Sequence, residues 1–121
     1  MKRFLALLLA PVVLAGCSSV SNLSATRVPR TAAGWYTVEA KFSTKRQAVI
    51  DESIKAYAVI DGKPYQLQRV PLVRDRWEGQ IPVDPTKTET LYHFQFDFLV
   101  NRIPKAVERS YVSSEYTLDV K

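Results

Sequence analysis

The chain of 121 residues has one cysteine, one histidine and four glycines, and each scarcity removes a class of chemistry. A single thiol closes no intrachain disulfide, so the fold must hold by packing alone, even in an oxidising compartment. The lone imidazole, His93, cannot anchor a histidine-rich metal centre, because zinc sites take three or four Cys, His or carboxylate ligands. No EF-hand spacing is present for calcium. Beyond Gly16, the glycines are Gly34, Gly62 and Gly79, too scattered to form a phosphate-cradling loop, which sets nucleotide enzymes aside. No apolar run reaches the roughly 20 residues that a membrane-crossing helix needs. The length admits one small domain.

What is present is concentrated at the start. Twelve of the first sixteen residues are hydrophobic, and the two charges among them, Lys2 and Arg3, precede an apolar stretch from Phe4 to Leu14 broken only by Pro11. A basic start, a short apolar run and small residues at Ala15 and Gly16 form an export signal. The segment Leu14-Ala15-Gly16-Cys17 resembles the lipobox of bacterial lipoproteins in every position. That resemblance implies cleavage before Cys17, addition of a diacylglycerol to its sulfur and acylation of the new amino terminus. Cys17 is then a lipidation site and a membrane anchor rather than a catalyst. Ser18 stands where an aspartate would favour retention at the inner membrane, so the resemblance tilts localisation toward the outer membrane.

Residues 1–16 are accordingly read as a signal peptide. Residues 17–33, small, polar and aperiodic after the cysteine, read as the lipidated residue and a flexible tether. Residues 34–121 remain for the domain. Loss of Lys2 and Arg3 lowers the formal net charge from +5 to +3, an excess too small to require an anionic partner.

The domain carries a period of two. Tyr36, Val38, Ala40 and Phe42 alternate with polar residues, as do Ile54, Ala56, Ala58 and Ile60, and the run over 90–100 places Tyr92, Phe94, Phe96, Phe98 and Val100 on one face. Further strands are expected over 65–70, around Trp77, Gly79 and Ile81, and over 115–120, while 47–52 is ambiguous and 101–110 reads as a loop. Asp61-Gly62 marks a hairpin turn, with Lys63 and Pro64 favouring a loop of four or five residues. Six or seven strands without an amphipathic helix predict an all-β fold, a small antiparallel β-sandwich. Over 76–98 the pattern resembles immunoglobulin-like and starch-module-like sandwiches, at fold level only and without a Cys-Trp-Cys framework.

No catalytic constellation emerges. On the outward face of the long strand, the neighbours of His93 are Gln95 and Asp97, about 7 and 13 Å away along the chain, which makes no oriented base. No catalytic residue, metal ion or cofactor is expected. The densest charged segment surrounds Trp77, and Trp35, Arg74, Arg76 and Trp77 are the candidate interaction residues, since arginine and tryptophan beside a turn recognise partners by stacking and forked hydrogen bonds. A nucleic-acid partner is excluded, because the aromatic face reads as core and the export signal removes the protein from the cytoplasm. The expected function is a membrane-anchored structural or protein-interaction domain with an envelope protein as partner. A carbohydrate- or cell-wall-binding module, with a glycan on exposed aromatic rings, is the alternative.

Overall fold

The computed structural model describes residues 18–44 and 48–121; the signal peptide and Cys17 lie outside the described residues. The regular elements are β1 (Ser18–Asn22), β2 (Arg27–Val28), β3 (Trp35–Thr44), β4 (Val49–Ile60), β5 (Lys63–Arg69), β6 (Arg76–Pro82), β7 (Glu89–Val100), β8 (Val107–Val112) and β9 (Tyr116–Val120). The all-β expectation holds, but there are nine strands among the described residues rather than six or seven. They form one continuous sheet in the order β1-β3-β6-β5-β4-β7-β9-β2, with β8 beside β9 on the same edge of β7. The sheet curls into a half-barrel, without a clear division into two immunoglobulin-like sheets.

The curl follows from the aromatic residues. Phe42 of β3 and Phe96 of β7 are stacked with ring centroids 4.3 Å apart. In a flat sheet these strands, four positions apart, would be separated by about 19 Å at the usual interstrand spacing. Trp77 of β6 closes the stack edge-on, 5.4 Å from Phe96 and 6.3 Å from Phe42. Every inward position of β3 from Tyr36 to Phe42, and of β7 from Tyr92 to Val100, is buried, as the alternation predicts.

Two local devices permit the bend. Gly79 faces inward where β5 passes close: a Cβ there would lie 2.7 Å from Leu67 Cδ2 and 3.2 Å from the Gln66 carbonyl, so the approach requires glycine. In β4 the register shifts between Ile50 and Lys55, a bulge that bends the strand against β7. Ser53 repairs the interrupted ladder, its Oγ accepting the Leu99 N–H at 2.8 Å and donating to the Ile50 carbonyl at 2.6 Å. Ser53→Ala leaves both groups short of a partner and is expected to lower stability by about 1–2 kcal/mol, read as a shift in the urea midpoint without a change in slope.

The segment expected to be a flexible tether is instead largely built into the fold. β1 pairs antiparallel with β3, and β2 pairs parallel with β9. Residues 18–28 thus clasp the first and last strands of the curled sheet. Val20 and Val28 pack on the core, Ser24 Oγ accepts the Glu39 N–H at 2.8 Å, and Asn22 Nδ2 donates to the Tyr92 hydroxyl at 2.9 Å across the interior. The strand over 107–112, which begins inside the expected 101–110 loop and runs past it, completes the edge beside β7. The Asp61-Gly62 turn is tighter than expected: both residues have positive φ, 50° and 78°, and Ile60 pairs directly with Lys63.

Candidate functional site

The four candidate interaction residues do not converge. Trp77 is 2% exposed and belongs to the core, because its odd-numbered position shares the inward face of β6 with Gly79 and Ile81. Its ring is covered by Arg69, whose guanidinium carbon lies 4.6 Å from the ring centroid while the same group reaches Asp51 at 3.3 Å. Arg76 faces outward and pairs with Glu39 at 3.4 Å. Both partners are substantially solvent-exposed, so the pair contributes well under 1 kcal/mol. Arg74 stands exposed in the 70–75 loop. Trp35 pairs with Pro82 at the opposite end of the β3–β6 ladder, whose last rung is Lys41–Arg76, a separation of about 20 Å along the strand.

Trp35 is the member of the set that forms a surface. It is 44% exposed and meets Tyr65 edge-on, with centroids 6.1 Å apart and planes at 82°. Its backbone is fixed from both sides. Thr31 Oγ1 accepts the Gly34 N–H at 3.1 Å, the Gly34 carbonyl accepts the Val83 N–H at 3.0 Å, and the Tyr36 hydroxyl accepts the Thr31 N–H at 3.0 Å. That last bond, together with nearby Arg30, holds the Tyr36 phenol below its ordinary pKa despite the opposing effect of burial. Gly34 adopts φ of 77°, the left-handed region that glycine enters at little cost.

Beside Trp35 lies a shallow hollow lined by Leu23, Pro29, Thr31, Thr37 and Gln80. Leu23, 40% exposed, is a second apolar residue on this patch. Sequence reasoning missed it because it falls in the segment read as tether. On the neighbouring turn, the Asp84 carboxylate accepts the Thr86 N–H at 2.8 Å and its hydroxyl at 2.7 Å, which holds the carboxyl below the usual range.

A separate groove on the outer face of β4, β7 and β8 is lined by Lys55, Tyr57, Asp97 and Arg109. Asp97 Oδ1 there accepts from Gln95 Nε2 at 2.9 Å and from Ser110 Oγ at 2.7 Å. His93 stands on the same strand opposite Val59, outside that groove. Among the described residues no group of three or more His, Cys, Asp or Glu side chains could hold a metal ion.

Comparison with known proteins bears on the amino terminus. AggA, the major subunit of aggregative adherence fimbriae type I (AAF/I) from Escherichia coli, is a structural neighbour at 12% identity and a TM-score of 0.44, covering 86% of this chain and 94% of its own. No curated protein matches the chain. Residues 1–18 match the model of the prokaryotic membrane lipoprotein lipid attachment site. The chain therefore carries a lipoprotein attachment signal that includes its single cysteine, and it is a lipid-anchored protein of the cell envelope.

Proposed function

We propose that this lipoprotein is a non-catalytic docking domain, anchored through Cys17 and recognising another envelope protein through the hollow beside Trp35. The observation that carries this reading is an exposed tryptophan held on a fixed backbone at the end of the half-barrel away from the residue that follows the anchor. Large aromatic residues in such settings supply much of the binding energy of protein interfaces. Ser18 after the lipidated cysteine supports assignment to the outer membrane.

The glycan alternative needs a platform of coplanar rings, whereas Trp35 and Tyr65 stand nearly perpendicular. That geometry favours a protein partner.

The test is crosslinked co-purification of the lipidated protein from its native membrane, comparing wild type with Trp35→Ala and Leu23→Ala. Both variants should fold normally, and loss of the Trp35 ring should weaken the captured complex about thirtyfold, equivalent to about 2 kcal/mol. Undiminished capture by Trp35→Ala would sink the assignment of this surface, and retention of wild type on purified cell-wall glycan would revive the alternative.

A further inference from the structure

The two ends of the half-barrel present different chemistry. At the end where the described chain begins, Ser18 pairs with Thr44 on the last rung of the β1–β3 ladder. The 70–75 loop lies next to it, since the Phe42 N–H donates to the Asp75 carbonyl at 2.9 Å. The 101–106 connection leaves β7 at the same end, where Val100 pairs with Val49 and the Asn101 N–H donates to the Ala48 carbonyl at 2.7 Å.

These two loops carry the most exposed large apolar side chains among the described residues, Leu72 and Ile103, with Val73 beside the first. Leu72 also sits at φ of 63°, a conformation that costs an L-residue steric energy. The chain thus holds a large apolar group out in water on a strained backbone. Arg74, Arg102 and Lys105 occupy the same loops against one carboxylate, Asp75, and none of the three cations belongs to an ion pair among the described residues. At the other end the 61–62 and 83–88 turns show Asp61, Asp84 and Lys87, and the exposed Trp35 beside them, at 44%, is far less exposed than Leu72 at 105% or Ile103 at 97%.

Apolar tips surrounded by cations suit the boundary between acyl chains and anionic headgroups. The connectivity identifies that surface as the occupant. Cys17 is one residue from Ser18, about 3.8 Å between Cα atoms, so the acyl chains enter the bilayer beside this end.

We infer that this end of the half-barrel rests on the membrane, with Leu72 and Ile103 in the interfacial layer and Arg74, Arg102 and Lys105 against anionic headgroups. The inference rests on lipid anchoring at Cys17, and the experiment separates the two. Full mature protein, its acyl groups verified by mass spectrometry, is reconstituted in phosphatidylethanolamine–phosphatidylglycerol vesicles with or without brominated acyl chains. Leu72→Trp and Ile103→Trp should lose more emission to bromine than wild type, while Thr86→Trp at the other end should lose no more. Replacing phosphatidylglycerol by phosphatidylcholine should reduce the loss. Equal quenching of all three variants, in protein shown to be acylated, overturns the orientation, and equal quenching in both lipid mixtures overturns the role of the cations. An unmodified Cys17 overturns the anchoring and the orientation together.

Discussion

Cys17→Ala is expected to yield protein without acyl mass that fails to reach its membrane in mature form. Each buried methylene contributes about 0.8 kcal/mol to attachment, so loss of even one chain of a dozen carbons removes about 10 kcal/mol. No protein contact at the membrane-facing end replaces a term of that size. The uncut leader should persist as well, giving a precursor that keeps residues 1–16 and lacks the acyl groups of mature wild type. Intact-mass measurement of the membrane and soluble fractions checks both outcomes. A Cys17→Ala protein that is cleaved and still sediments fully with membranes would contradict the anchor.

Trp77→Ala is expected to cost about 3–5 kcal/mol, the usual penalty for emptying a buried aromatic site. Small domains have total stabilities of roughly 5–15 kcal/mol, so the variant should lie close to its unfolding threshold. The loss exceeds simple burial because Trp77 closes the Phe42–Phe96 stack and supports Arg69 over its ring. Trp35→Ala provides the internal comparison. Its side chain is partly exposed and should change stability by less than about 1 kcal/mol while affecting partner capture. Urea unfolding of the two variants, side by side, should therefore give sharply different midpoints; similar midpoints would contradict the placement of the two rings.

The same pair of tryptophans shows how far the sequence could be read. Strands β3 and β7 are legible because each buries one complete face, and alternation over ten or twelve residues leaves little freedom in phase. Trp77 could be assigned to a strand but not to a face, because Gly79 follows it on the inward side and interrupts the apolar pattern. The reason for that glycine, the close passage of Leu67, is a tertiary fact. β1 and β2 were harder still. An edge strand with Val20 as its main apolar contact has almost no period, and serine-rich composition alone resembles a linker. Their ladders depend on strands far away in sequence, β3 for the first and β9 for the second. The tip residues Leu72 and Ile103 carry no periodic signal either. Their proximity to the anchor becomes visible only when the register of β1 on β3 brings the loops and the amino terminus to one end.

That register also sets a mechanical path. The lipid attaches one residue before β1, while Trp35 lies toward the other end of β3. A bound partner pulling away from the membrane would therefore draw β1 and β3 in opposite directions along their common axis. Antiparallel ladder bonds run across the strands, so such a pull shears the five paired positions from Ser18 to Asn22 together instead of peeling them apart in turn. The short clasp is in this sense a tensile joint, and the load it bears is shared across its whole length.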